Sequence, residues 1–197
     1  GTIYSKAELT ALSETCHKYG LYLFLDGARL GYGLAAPDND LTLPEIAALC
    51  DVFYIGGTKV GALFGEAVVI KNPELAQDFR YLIKQNGGML AKGRLLGLQF
   101  DALFTDGLYQ EISAHAIAMA EKLREAFTAK GYNYLAPNRT NQIFVIVPDA
   151  HLAKISEQFE YSYDQRIDAT HSCVRFCTSW ATKEENVDAL IRCVEQL

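Results

Sequence analysis

The sequence of 197 residues predicts an α/β fold. Two observations carry this. Helix and strand signals alternate from residue 5 to residue 70. The first strand segment is a continuous apolar run, the pattern of a strand covered on both faces in a parallel sheet.

The elements follow in order. Ser5-Lys-Ala-Glu8 is a capping box, in which a hydroxyl and a carboxylate satisfy the free amides of a first helical turn. Leu9, Leu12 and Cys16 then recur at helical spacing, and Gly20 stops the helix. "LYLFL" (21–25) reads as a buried strand ending in Asp26-Gly27. Thr42-Leu-Pro-Glu45 is a second capping box, with Pro44 in the first turn. Its helix runs into Cys50; "VFYI" and, after a glycine-rich stretch, "EAVVI" are the next strands. Asn72-Pro73 opens a helix through about Leu82, and residues 86–104 form a helical segment softened by Gly93 and Gly97. Leu108 to Lys130 reads as a long amphipathic helix closed by Gly131. The tail reads as strand ("NQIFVIV"), helix from Asp149, strand near Phe159–Tyr163, strand ("CVRFCT") and a final helix capped by Thr182-Lys-Glu-Glu185. A domain boundary near residues 103–108 gives domains 1–105 and 106–197.

The totals exclude several roles. A net charge of −6 argues against nucleic acid as a partner, since phosphate binding needs a basic face. No apolar run reaches about 18 residues, so no membrane span is expected. The start, "GTIYSKAELT", lacks the features of a signal peptide. Five cysteines without a Cys-x-x-Cys pair read as buried free thiols of a reducing, cytoplasmic compartment. Cys173 and Cys177, with Val174 and Phe176 between them, fit strand alternation better than a zinc site. Three strands in residues 21–70 are too few for an open sheet with two covered faces. The first part of the sheet is therefore expected to lie outside this sequence, and Gly1 to be a tag remnant or an internal start.

Lys59 stands in "YIGGTKVGALFGEAVVI", among glycines and apolar residues. A turn lysine facing solvent is one reading. A phosphate loop is set aside, because Gly-Lys-Ser/Thr must lead into a helix and here a strand follows. The third reading is a Schiff-base lysine in a dry, restricted pocket, with the glycines leaving room for a flat ring beside the backbone. Asp26 favours this reading. It ends a buried strand, where α/β proteins place ligands, and Arg29 follows three residues later. An aspartate that holds the proton of a pyridine nitrogen and an arginine that forks a ring oxygen or carboxylate are what pyridoxal chemistry needs. Arg175 alternates with Val174 and Phe176 and is a candidate fork for a substrate α-carboxylate. His171, close by, reads as structural.

"GLYLFLDGARLGYGLA", "DVFYIGGTKVGALFGEAVVI" and "VRFCTSW" together resemble the L-threonine aldolase and β-eliminating lyase group of pyridoxal-phosphate enzymes. The ordered pair Asp26-Gly-Ala-Arg29 and Thr58-Lys59 carries the resemblance, which runs along essentially the whole chain. It implies an aspartate aminotransferase-type fold. The chain would be the C-terminal part of a fold-type I enzyme: a partial mixed sheet of the cofactor-binding large domain plus a small α/β C-terminal domain. It implies pyridoxal 5'-phosphate as cofactor, Lys59 as its covalent anchor and Asp26 as partner of the ring nitrogen. Arg29 is placed near the ring oxygen and substrate carboxylate, Arg175 as the main carboxylate-binding residue, and Thr58 within reach of the cofactor. The implied activity is a lyase splitting a small β-hydroxy amino acid, such as L-threonine, into glycine and an aldehyde. β-Elimination, transamination, racemisation and an inactive fragment are the alternatives. A homodimer or homotetramer is expected. The sequence departs from the group in three ways. Its Gly-Gly-Gly-Met-Arg segment appears as Gly87-Gly88-Met89-Leu90, with Lys92 or Arg94 as candidate replacements for the arginine. Thr178-Ser179 stands where Thr-His is usual. The group's N-terminal portion, with its phosphate loop and ring-stacking residue, is expected to lie outside this sequence.

Overall fold

A computed structural model describes residues 2–197, which fall into two compact units. One comprises Tyr4–Leu34 and Asn39–Ile112; the other comprises Ala35–Asp38, Ser113–Leu197 and a short stretch up to Ile3. In chain order the elements of the first are α1 (Lys6–Lys18), β1 (Phe24–Leu25), α2 (Leu30–Ala35), α3 (Leu43–Leu49), β2 (Val52–Gly56), β3 (Glu66–Ile70), α4 (Pro73–Ala76), α5 (Phe79–Gln85) and α6 (Arg94–Phe104). α7 (Leu108–Ala129) starts here and from Ser113 onward belongs to the other unit.

Both capping boxes form as the sequence predicts. Ser5 Oγ accepts from Glu8 N, and the Glu8 carboxylate accepts from Ser5 N at 2.8 Å. Thr42 and Glu45 repeat the arrangement at α3. Lys6 Nζ then reaches Glu45 at 2.7 Å, and Ser13 Oγ donates to Leu49 O at 2.7 Å, so α1 and α3 are tied at both ends. The sheet is mixed, in the order β1-β2-β3. β1 runs parallel to β2, with Phe24 opposite Val52, and β3 is antiparallel to β2, with Gly56 opposite Glu66. Phe53, Ile55 and Val60 are buried beneath it.

Two expectations are corrected here. "LYLFL" is not a strand covered on both faces: only Phe24–Leu25 joins the ladder, and Leu21, Tyr22 and Phe24 are 58%, 55% and 58% exposed. Among the described residues β1 pairs with β2 alone, and the side chains of Leu21, Tyr22 and Phe24 are left uncovered. The helix expected from Asn72 to Leu82 is two helices. The chain breaks at Gln77 (ψ 128°) and Asp78, whose φ of 58° is a left-handed conformation that a short polar side chain tolerates.

The second unit adds β4 (Asn133–Tyr134), β5 (Gln142–Pro148), α8 (Asp149–Ile155), β6 (Ser162–Arg166), β7 (His171–Cys177) and α9 (Glu184–Glu195) to the bulk of α7. Its antiparallel sheet runs β4-β5-β7-β6, with Phe144 opposite Arg175 and a register shift between Tyr163 and Gln165. Side chains of α7, α8 and α9 close over β5 and β7, where Phe127 meets Phe176 with ring centroids 5.4 Å apart. The strand expected near Phe159–Tyr163 is shifted to Ser162–Arg166. Thr182 does not cap α9. That helix begins after Lys183, and Thr182 Oγ1 instead accepts from Ser179 N at 2.8 Å, closing the preceding turn. All five cysteines are free thiols, but of these Cys50 and Cys173 alone are buried; Cys16 and Cys193 are half-buried and Cys177, the last residue of β7, is exposed, which corrects the expectation of five buried thiols. Burial pushes the Cys173 thiol up to about 11. Among the described residues no helix is long and apolar enough to cross a membrane.

Candidate active site

Parallel pairing of β1 and β2 brings two loops out at the same, C-terminal end of the sheet. One carries Asp26-Gly-Ala-Arg29 into α2; the other carries Gly57-Thr-Lys59. Ligands of open α/β sheets sit at this end.

The loops pack backbone against backbone. Gly56 N donates to Gly27 O at 2.9 Å. A Cβ on Gly27 would stand 1.7 Å from Tyr54 O, and one on Gly56 would stand 2.3 Å from Ala28 O. The glycines around Lys59 are filled in the same way: a Cβ on Gly57 would meet Gly65 O and the Phe100 ring, and one on Gly65 the Leu96 side chain at 2.2 Å. The expectation that these glycines make room for a flat ring is thus corrected, because the space is occupied by the protein's own atoms.

Lys59 is also placed differently from the sequence expectation. Its side chain is exposed, not enclosed in an apolar pocket. Gly57 O accepts from both Val60 N (2.9 Å) and Ala62 N (3.0 Å), a tight turn that buries Gly57 and Val60 and leaves Thr58 and Lys59 at its tip. Two side chains hold that tip by its main chain. The Tyr32 hydroxyl donates to Lys59 O, and Gly57 N donates to Glu66 Oε2 at 2.7 Å. Thr58 Oγ1 lies 3.4 Å from Gly65 O. Tyr109, in the first turn of α7, ties the loops together: its buried hydroxyl accepts from Gly31 N at 3.0 Å and donates to Gly56 O at 3.0 Å.

Asp26 is the most constrained carboxylate of the site. Its Oδ1 accepts from the Tyr54 hydroxyl and from Ala28 N, the latter at 3.0 Å. These two donors, Tyr54 first, hold the carboxyl below its ordinary value, and the positive charges of Lys59 and Arg29 add to the effect. Conversely, Asp26 pushes the Tyr54 phenol up to about 12. Among the described residues Oδ2 receives no hydrogen bond. Asp26, Arg29 and Lys59 are therefore within electrostatic reach of one another.

Arg175, in the other unit, points away from buried Val174 and Phe176, as its alternation predicts. Its Nη1 donates to Gln142 Oε1 at 3.2 Å and Nη2 to Ser162 Oγ at 3.4 Å, and its guanidinium lies 6.0 Å from the Phe144 ring. Nε is buried without a partner. An open concavity of about 380 Å³ adjoins it, lined also by Tyr161, Ser162, Cys177, Thr182 and Asn186. His171 belongs to a turn, in which Asp168 Oδ1 accepts from Thr170 N (2.7 Å) and His171 N (2.8 Å) and lies 3.0 Å from His171 Nδ1. Tyr54, Tyr109, Tyr32 and Glu66 were not singled out from the sequence. Of these, Tyr54 alone carried a signal: it stands on the strand next to the one ending at Asp26.

A family profile described as Beta-eliminating lyase matches residues 1–150. The chain belongs to the β-eliminating lyase family. Within that family it is 31% identical over 193 residues to the low specificity L-threonine aldolase of Pseudomonas aeruginosa, covering 98% of this chain and 55% of that protein. It is 32% identical over 194 residues to the low specificity L-threonine aldolase of Pseudomonas sp., covering 96% of this chain and 54% of the other. The structure of Leishmania major threonine aldolase superposes with a TM-score of 0.97 at 43% identity, over 100% of this chain and 57% of that one. The chain spans about half the length of the curated relatives it matches. The resemblance in the Asp26 and Lys59 motifs is thus borne out at the level of family and of fold: this β-eliminating lyase chain has the mixed α/β, fold-type I architecture.

Proposed function

We propose that the protein carrying this chain is a pyridoxal-phosphate-dependent lyase that cleaves β-hydroxy amino acids, L-threonine among them, to glycine and an aldehyde. One observation carries the reading: Asp26 and Lys59 emerge together from parallel neighbouring strands, Asp26 with one oxygen locked and the other open, Lys59 with an exposed amine on a fixed backbone. A free amine and an open carboxylate oxygen fit a group that carries an aldehyde and a protonated ring nitrogen.

Bound there, pyridoxal phosphate supplies the electron sink for bond cleavage at the substrate carbon. Lys59 supplies the amine that anchors it. Asp26 Oδ2 holds the proton at the ring nitrogen, and its depressed basicity keeps it an anion in that role. Arg29 adds positive charge beside Asp26. Arg175 offers its guanidinium to the substrate α-carboxylate. Thr58 stands at the same tip as Lys59, which supports a role for its hydroxyl toward the cofactor. We propose further that the protein is a homodimer or homotetramer, supported by Leu95, Leu98 and Phe104 of α6, each more than 40% exposed.

The test uses the full-length protein. Incubation with pyridoxal phosphate and reduction with borohydride should modify Lys59, and threonine should then yield glycine and acetaldehyde. Labelling without release of these products moves the reading to β-elimination, transamination or racemisation. An unmodified Lys59 ends the cofactor reading.

A further inference from the structure

Asp26 is an exposed carboxylate, yet two donors tether it to the protein. Both donors that reach it land on the same oxygen, Oδ1. One is the amide of Ala28, two residues on, which forms an Asx turn that sets the side-chain torsion. The other is the Tyr54 phenol, from the neighbouring strand.

Tyr54 is held firmly enough for this. Its backbone lies in the middle of β2, opposite Val68 of β3. Its carbonyl is pressed against Gly27, where even a methyl group would not fit. Buried Phe53 and Ile55 flank it, and its ring stacks at a tilt on Phe24, with centroids 6.0 Å apart. The phenol therefore reaches Asp26 from a rigid element rather than from a loop.

We infer that Tyr54 is a positioning residue: it pins Oδ1 of Asp26, so that Oδ2 is aimed outward as the single acceptor for a cationic ring N–H. The inference rests on the cofactor reading above and deepens it by adding a residue which that reading does not need. The chemistry follows from hydrogen bonding. A carboxylate that already accepts two bonds is a weaker base. A proton shared between Asp26 and a pyridine-type nitrogen then stays on the nitrogen, where it draws electrons. The phenol itself, pushed up to about 12, stays protonated and remains a donor at any ordinary working pH. The charged groups facing Asp26 are Lys59 and Arg29, both cations, and they act in the same direction as Tyr54.

The experiment compares wild type with Tyr54→Phe, which removes one oxygen and keeps the ring. In the unliganded full-length protein, 13C NMR of the Asp26 carboxyl should show it titrating below an ordinary aspartate in wild type and moving up in Tyr54→Phe. Affinity for pyridoxal phosphate should fall about tenfold in the variant, the order expected for a charge-assisted bond. The acid-side fall of that affinity should move to higher pH. With 1-deazapyridoxal phosphate, which has carbon in place of the ring nitrogen, wild type and variant should bind alike. Equal loss with both compounds overturns the inference, since it means a merely structural role. So does an Asp26 that titrates normally in wild type, a measurement that does not depend on the variant folding. A variant matching wild type in both titration and affinity overturns it while leaving the cofactor reading intact. If wild type forms no reducible adduct at Lys59, the reading fails and the inference with it.

Discussion

The hydroxyl of Tyr109 bridges Gly31 N and Gly56 O, so one buried phenol fastens the Asp26 loop to the Lys59 loop. Neither backbone group is written in the sequence as needing a partner, and both are buried.

Replacing Tyr109 with Phe keeps the ring, which stacks on Phe104 at 5.1 Å, and removes the bridge. A buried donor and a buried acceptor then lose their partner. Urea unfolding should show a loss of about 1–3 kcal/mol. An unchanged midpoint would mean that water replaces the hydroxyl at no cost.

Glycines of this chain fall into two classes, and one substitution from each separates them. Gly27→Ala places a methyl group 1.7 Å from Tyr54 O, a backbone atom that cannot step aside. The expected cost is about 3 kcal/mol or more. Gly97, inside α6, has open space where its Cβ would be. Gly97→Ala should stabilise by about 0.5–1 kcal/mol through helix propensity. Thermal melts of both variants check the pair, and a Gly27→Ala protein that melts like wild type would contradict the close approach.

Acid should weaken the α1–α3 contact through Glu45. Lys6 first, then Thr42, holds this carboxylate down to about 2 from 4.5. The folded value lies below the unfolded one, so its contribution is complete above about 4.5 and is lost as pH falls towards about 2. Melting temperature measured across that window should decline less steeply in Glu45→Gln than in wild type. Parallel curves would count against the pairing.

Arg175→Met tests the proposed carboxylate fork. The KM for the amino-acid substrate should rise roughly ten- to a hundredfold, the range of charge-assisted bonds. Borohydride labelling of Lys59 should not change. A variant with unaltered KM would remove Arg175 from the substrate site.

What was legible in the sequence was local. The capping boxes at Ser5 and Thr42 need only four adjacent residues, and both form. Arg175 sits on the face its alternation assigns. The motif residues Asp26, Arg29 and Lys59 could be named from their spacing, and the fold gathers them. What was not legible depended on partners distant in sequence. A continuous apolar run at residues 21–25 says that a strand wants two covered faces, not whether the chain provides them. Gly57 and Gly65 look alike whether the space beside them takes a ligand or, as here, Phe100 and Leu96. Tyr54 and Tyr109 act through single hydroxyl groups, which periodicity cannot distinguish from ordinary core aromatics. The break at Asp78 carries neither glycine nor proline to announce it.

The turn beneath Lys59 is made from main-chain groups: Gly57 O to two amides, Gly57 N to Glu66, and Lys59 O to Tyr32. None of these bonds uses the lysine side chain. The scaffold is therefore indifferent to what stands at position 59, as a tool holder is to the bit it grips. Reactivity and foldability are separable at this point, so a different functional group could be mounted there on an unchanged frame.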